Sequence, residues 1–167
     1  MRTIRLILLS AGLVVLSAQL AQAQAPTAAA SQGASEADKN KTMVRRYYDE
    51  VWNKMKLETT NELFQPPFQI EQMKDTVAAV HFGIPDIHFT VDELFAGEDG
   101  RVVATFTASG THSAELFGVA PTGKKVSFSS IEIFRLKDGK IYEKQNADSR
   151  LLLMQQIGAL CKQAAPK

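Results

Sequence analysis

The feature that most limits the possible fold is a change of hydrophobic period at Pro85. After it, apolar Ile87, Phe89 and Val91 alternate with polar residues, which is the pattern of a strand with one apolar face. The alternation returns further along the chain, and an Asp-Gly pair at 138–139 has the composition of a tight hairpin turn. The predicted strands cover 87–92, 101–112, 124–136 and 141–148.

Before Pro85 and after the last strand, apolar residues instead recur every three to four positions, which predicts amphipathic helices. The predicted helices cover 39–54, 57–64, 70–82 and 150–162. Helices, then hairpin-connected strands, then a final helix predict an α+β domain in which helices pack on one face of an antiparallel sheet. Long strands twist and curl, so we expect a cone whose open end forms a pocket.

The first 38 residues differ from the rest of the chain. MRTIR is basic, an apolar run of about a dozen residues follows, and AQA ends at Ala23, which together predict a secretory signal peptide over 1–23. Residues 24–38 are small and polar and predict a flexible linker, which leaves 39–163 as one domain. We therefore expect a periplasmic or secreted protein whose mature form does not associate with a membrane.

Charge and cysteine content narrow the function further. The chain has 19 basic and 18 acidic residues and no basic run, so nucleic acid is not an expected partner. Its one cysteine, Cys161, rules out an internal disulfide and is either buried or paired with a second chain. No metal-ligand spacing and no phosphate-binding glycine loop occurs, so no cofactor is expected.

The segment GTHSAELFGVAPTGKKVS, at 110–127, is unusual for a turn because its centre is apolar. Leu116 and Phe117 would gain nothing in water, so we expect the turn to lean over the pocket mouth or meet a partner subunit. His112 stands at its entrance. It either hydrogen-bonds a ligand at the mouth or holds the turn through a backbone group.

One acidic residue falls within the third strand, and the sequence leaves its direction open. Glu132 shares parity with Phe128 and Phe134, so if these point inwards a carboxylate enters an apolar interior, which is costly and suggests function. The opposite parity places Ile131 inside and Glu132 in water. On the first helix we expect Trp52, with two tyrosines before it, to cover the sheet, with one of these aromatics reaching the pocket.

Several longer segments together resemble the SnoaL-like polyketide cyclase family, within the nuclear transport factor 2-like superfamily. They are VRRYYDEVWN, PDIHFTV, the stretch from GTH to PTGKKV, FR-x-x-DGKI and D-x-x-LLxxQQIG. The resemblance implies a cone-shaped α+β barrel with a hydrophobic pocket, often as a homodimer. It also implies an intramolecular aldol ring closure without metal or organic cofactor, in which an aspartate near the end of the last strand is general acid and base.

The position that matches this aspartate is Asp148. A carboxylate in an apolar pocket has its pKa raised towards working pH, which suits a base beside a carbonyl. The alternative is that Asp148 caps the helix that follows it. Three residues earlier, where the family often has tryptophan, this chain has Gln145, and only 65–69 connects the second and third helices.

These observations give two expectations of function. The first is an exported domain that binds a small apolar carbonyl compound and performs a cofactor-independent acid/base step with Asp148 as base. The pocket residues expected with it are His112, Glu132, Phe134, Gln145, Phe117 and Trp52. The second is a non-enzymatic periplasmic module of the same fold that binds a small molecule or forms dimers.

Overall fold

The chain's structure is a computed structural model that describes residues 29–97, 99–147 and 149–159. The predicted signal peptide 1–23, the base Asp148 and Cys161 lie outside the described residues. Within the described ranges, no helix is both long enough and apolar enough to cross a membrane.

Four α-helices and one π-helical segment form the helical part of the described chain. Helix α1, Ala29–Arg46, begins within the predicted linker 24–38 and continues directly as the π-helical segment Tyr47–Asn53. Helices α2, Thr59–Leu63, and α3, Ile70–Gly83, follow at the predicted places. Helix α4, Ser149–Ile157, comes after the strands. The π-helical turn is wider than an α-helical one, and its side buried against the sheet carries Tyr47, Tyr48, Val51 and Trp52.

The four strands form one antiparallel sheet in sequence order. They are β1, His88–Ala96, β2, Arg101–Thr111, β3, Lys125–Lys137, and β4, Lys140–Asn146. Register shifts after Val91 in β1 and after Arg135 in β3 mark bulges, which bend the strands and increase the twist. The predicted α+β architecture, with a curved sheet, helices against it and a C-terminal helix, is confirmed.

Strand β3 settles the direction of Glu132. Along β3, buried and exposed residues alternate, and the even-numbered ones face the helices. Glu132 is 4% exposed whereas Ile131 is 48% exposed. The inward parity is therefore that of Phe128 and Phe134, because this choice buries two large aromatic side chains, each worth about 2 kcal/mol when removed from water.

An aromatic cluster joins the helical part to the sheet. The Tyr47 ring packs edge-on against four neighbours, with centroid distances of 5.1 to 6.4 Å. These neighbours are Tyr48, Trp52, Phe64 and Phe134. Edge-on pairs of this kind stabilise the fold by more than the free energy gained from burying apolar area alone.

The apolar turn after β2 is fastened to the end of α3. The carbonyl oxygen of Gly83 accepts hydrogen bonds from the backbone N–H groups of Ser113 (2.9 Å) and Ala114 (3.1 Å). Leu116 is buried and lies so close to Gly83 that a Cβ atom there would be 2.6 Å from the Leu116 Cβ. Glycine is therefore the residue that allows the turn to seat against α3.

We expect Gly83→Ala to lower the free energy of unfolding by about 1–3 kcal/mol, because the new methyl group must displace buried Leu116. Alanine favours a helix more than glycine does, which offsets part of the cost of the clash. A net loss of stability therefore means that the clash is the larger of the two effects. Urea unfolding followed by circular dichroism measures it. Phe82→Ala, next to it on α3 at an exposed position, is the control and should change stability by less than about 0.5 kcal/mol. Unchanged or increased stability of Gly83→Ala would contradict this packing.

Candidate functional site

A cavity of about 500 Å³ lies between the concave face of the sheet, helix α3 and helix α4. Aromatic and aliphatic side chains form most of its wall, and a few polar groups are set among them. The apolar lining consists of Trp52, Met73, Val80, Phe89, Phe106, Phe117, Phe128 and Leu153, and the polar lining of Gln72, Thr76, Glu132, Lys144, Asn146 and Arg150. Volume and composition are those of a site for one small organic molecule.

A buried ion pair lies in this wall. The Lys144 Nζ atom is 2.7 Å from Glu132 Oε1, and the two side chains are only 11% and 6% exposed. Residue Lys144 faces inwards because β4 pairs it with Phe134, which is on the buried face of β3. Two neighbouring strands thus place opposite charges on the same side of the sheet.

The two tyrosines of the π-helical segment complete the hydrogen bonding of this pair. The Tyr48 hydroxyl donates to Glu132 Oε2 at 2.6 Å, and Lys144 Nζ donates to Tyr47 Oη at 3.1 Å. The Tyr47 hydroxyl in turn lies 3.7 Å from the Met73 sulfur atom. Both oxygens of Glu132 are engaged, so the carboxylate is held as an acceptor, and we call these four side chains the Glu132 cluster: Tyr47, Tyr48, Glu132 and Lys144.

The surroundings within the Glu132 cluster raise the pKa values of Tyr47, Tyr48 and Lys144. Burial, together with the nearby Glu132 charge, raises the pKa of Tyr47 to about 12, although Lys144 opposes this. Burial also raises the pKa of Tyr48, and the charge of Glu132 adds to the effect. Burial alone would lower the pKa of Lys144, but the attraction of Glu132 and the hydrogen bonds to Glu132 and Tyr47 outweigh it, so the pKa is raised. Both tyrosines stay neutral and the lysine stays charged at neutral pH.

The apolar turn contributes to the mouth of the cavity. Phe117, half-buried, has a left-handed backbone (φ +52°) and lines the cavity. The Arg150 guanidinium carbon from α4 lies 4.5 Å from the centre of the Phe117 ring, a cation–π contact. This contact joins the turn to α4 at the edge of the opening.

Three of the residues singled out from the sequence line the cavity: Trp52, Phe117 and Glu132. Phe134 is fully buried against the Tyr47 ring and is not among the lining residues. Asp148, the expected base, lies outside the described residues.

His112 is fully buried under the turn rather than in the cavity wall. Its Nδ1 atom accepts from the Thr122 backbone N–H at 3.3 Å and lies 3.0 Å from Thr122 Oγ1. The Nε2 atom has no hydrogen-bond partner among the described atoms. The observed contacts are those of the structural alternative, in which His112 holds the turn.

Gln145 differs from the expectation that it would line the pocket. Its side chain is exposed and donates to Glu143 Oε1 at 2.6 Å. Neighbours on a strand point to opposite faces, so Lys144 and Asn146 line the cavity and Gln145 does not. Lys144 was not predicted from the sequence. It lies an even number of residues before Asp148 on the predicted fourth strand, so the two share a face, and this spacing could have identified it.

Among the described residues, no group of three or more histidine, cysteine, aspartate or glutamate side chains is placed to hold a metal ion. The polar groups among the described lining residues are one carboxylate, two cations, two amides and one hydroxyl. Chemically, this wall can bind an apolar molecule and donate hydrogen bonds to an oxygen atom on it.

Comparison with known proteins identifies the same fold. The model of the SnoaL-like polyketide cyclase family matches residues 42–157. A putative SnoaL-like polyketide cyclase from Jannaschia sp. CCS1 superposes with a TM-score of 0.64 at 24% identity, over 78% of this chain and 94% of that one. AclR, a putative hydroxylase from Streptomyces galilaeus, has a TM-score of 0.65 at 26% identity, over 78% and 87%. A putative polyketide cyclase from Bacillus cereus has a TM-score of 0.60 at 27% identity, over 74% and 83%. Curated proteins gave no match.

We expect the free energy of unfolding to fall as the pH rises from 10 towards 12. Tyr47 and Lys144 have raised pKa values in the folded protein, so above about pH 10 the unfolded chain releases protons that the folded one keeps. Each group contributes a slope of about 1.4 kcal/mol per pH unit. Tyr47→Phe should flatten this decline, and Tyr142→Phe, outside the cluster, should not. Denaturant unfolding across this pH range checks it, and equal slopes for both variants would contradict the buried cluster.

Proposed function

The chain belongs to the SnoaL-like polyketide cyclase family, and we propose that it binds a small, largely apolar carbonyl compound in the cavity. We further propose that it catalyses a cofactor-independent acid/base step there, of the aldol cyclase or isomerase type, with Asp148 as base. The observation that carries the proposal is the cavity of about 500 Å³, whose wall is mainly aromatic and aliphatic. Such a wall removes the apolar body of a ligand from water, while the few polar groups orient its oxygen atoms.

The role of Asp148 rests on chemistry and on its place in the chain. Its sequence neighbours Asn146 and Arg150 both line the cavity. A carboxylate beside apolar walls has its proton affinity raised, which suits removal of a proton next to a carbonyl group. Glu132 is the less suitable base, because both of its oxygens already accept hydrogen bonds.

We also propose that the protein is exported to the periplasm or secreted, with residues 1–23 as the signal. This proposal rests on the basic start, the short apolar run and the small residues around Ala23. An exported protein of this family meets small molecules outside the cytosol, and its ligand is then to be sought there.

A non-enzymatic binder of the same ligands is the second candidate function. The observation that favours it is the pairing of Glu132 with Tyr48 and Lys144, because a carboxylate that is held by these two hydrogen bonds is a weaker base than a free one. Asp148 decides between the two candidates.

We expect Asp148→Asn to lose turnover by about a hundredfold or more while it keeps ligand binding, because a general base contributes factors of this size. The purified protein is screened by thermal shift against small ketones, esters and aromatic compounds, since a ligand of the folded state raises the melting temperature. Ligands that bind are then followed for turnover by mass spectrometry.

Asp138→Asn in the β3–β4 turn is the matched control, because it makes the same change outside the cavity lining. Turnover retained in Asp148→Asn would contradict its role as base. Binding without turnover in the unaltered protein would favour the non-enzymatic binder. No binding by any of these compounds would contradict the proposed ligand class.

We propose that the outer face of the sheet joins two copies of the chain. Phe95 is 58% exposed and Ile131 is 48% exposed on strands whose other face is the core. An apolar sheet face of this kind is a candidate contact between subunits.

We expect sedimentation to show a dimer that Ile131→Lys converts to monomer, because a charge would then be buried without a partner. Phe82→Lys, at an exposed position of α3, is the control and should leave the dimer intact. A monomer at micromolar concentration in the unaltered protein would contradict this proposal.

A further inference from the structure

The Glu132–Lys144 contact differs from the other ion pairs of the described residues. It alone among them has both side chains largely out of water, at 6% and 11% exposure. Every other pair includes at least one side chain with substantial solvent contact, such as Glu62 at 66% in the Arg46 pair.

Stability alone does not explain a buried pair in a cavity wall. Removing two charges from water costs about as much as their attraction returns, and apolar residues of similar size often serve a core equally well. A buried, charged group beside a cavity is instead a common feature of binding sites.

Within the described residues, the hydrogen bonds account for two of the three N–H donors of Lys144. Lys144 gives one N–H to Glu132 Oε1 and one to Tyr47 Oη. An ammonium group has three donors, and within the described part of the chain the third has no assigned acceptor. Because Lys144 also lines the cavity, a bound molecule can accept this third hydrogen bond.

We infer that Lys144 is the ligand-binding donor of the cavity and that the ligand carries an oxyanion on an apolar framework. The inference rests on the proposed function, since it requires the cavity to take a small organic molecule. Glu132, Tyr47 and Tyr48 are then positioning residues, which fix the ammonium group without touching the ligand oxygen.

The ammonium group of Lys144 favours an anion over a neutral oxygen. Lys144 and Arg150 are the positive side chains among the described lining residues, and Glu132, the negative one, is already paired with Lys144. A hydrogen bond from an ammonium group to an anionic oxygen is roughly twice as strong as one between neutral groups. Apolar surroundings such as Phe106 and Phe128 strengthen it further.

Delocalised oxyanions, as in enolates and phenolates, and carboxylates are two chemical classes that carry such an oxygen. Three probes with one shared ring separate them: 4-nitrophenol above its ionisation pH, 4-nitrobenzoate, and neutral nitrobenzene. Calorimetry gives each affinity, and the absorbance of 4-nitrophenolate shows whether the bound form is the anion.

The unaltered protein should bind at least one anionic probe about tenfold or more tightly than nitrobenzene, as expected for one charge-assisted hydrogen bond. Preference for 4-nitrophenolate assigns an enolate-like ligand, and preference for 4-nitrobenzoate assigns a carboxylate. Equal affinity for all three probes overturns the inference and leaves the proposed function intact. No binding of any probe overturns both.

The variant Lys144→Met with Glu132→Gln tests the origin of the preference. The double change avoids a buried carboxylate without a partner, and the amide oxygen that Glu132→Gln introduces can still accept the hydrogen bond from Tyr48. The double variant should bind nitrobenzene as before and lose the tenfold preference. Lys137→Met, an exposed lysine in the same hairpin, is the matched control and should keep it.

Arg150→Met provides the decisive comparison if the double variant does not fold, because Arg150 is exposed and the change removes a positive charge from the mouth without removing a buried side chain. The inference requires the preference to persist, at least in large part, without Arg150. If the preference disappears in Arg150→Met, the anion is bound at the mouth, and the role assigned to Lys144 is overturned.

Discussion

The rest of the structure depends on how the interior of the sheet accommodates Glu132. Burying the aromatic residues of β3 places this carboxylate inside as well, because side chains alternate strictly along a strand. The carboxylate is then stabilised from two directions: Lys144, on the neighbouring strand, supplies the opposite charge, and Tyr48, in the helical layer, donates a hydrogen bond. The same four side chains therefore join the sheet to the π-helical segment, and two of them, Glu132 and Lys144, also line the cavity.

Different parts of the structure hold the helices to the sheet and form the cavity. The aromatic cluster around Tyr47 is closely packed and holds the layers together. Beyond it, the same sheet face is left uncovered between α3 and α4, and this gap forms the cavity. The family match and the superpositions extend over both the helices and the sheet.

Much of the fold follows from the sequence because it rests on local patterns. The Asp138-Gly139 pair fixes the β3–β4 hairpin, and both residues have the positive φ angles that such a turn requires. The direction of Glu132 could not be decided locally, because both parities of β3 offer apolar residues. It is the helical layer, with Tyr47 and Tyr48, that selects Phe134 over Ile131.

The site was less predictable than the fold because the face of a strand on which a side chain lies is decided by packing and not by the local sequence pattern. The expectation for Gln145 came from a resemblance in linear order, and a shift of one residue moves a side chain to the other face of a strand. Lys144, its neighbour, faces the cavity instead. In the turn, which was expected to lean over the pocket mouth or to meet a partner subunit, Leu116 is buried, Phe117 lines the cavity, and His112 contacts the turn and does not line the cavity.

The attachment of the turn at Gly83 has a consequence for ligand entry. The amides of Ser113 and Ala114 both depend on a single carbonyl oxygen, and the same turn carries Phe117 at the mouth. Widening the mouth by moving this turn breaks two backbone hydrogen bonds at once. Hydrogen–deuterium exchange at these two amides therefore reports opening of the cavity, and a bound molecule that keeps Phe117 in place slows it. The exchange rates of these two amides, which are bonded to the end of α3, thus indicate whether the cavity holds a ligand. The measurement requires neither a labelled ligand nor knowledge of the ligand's identity.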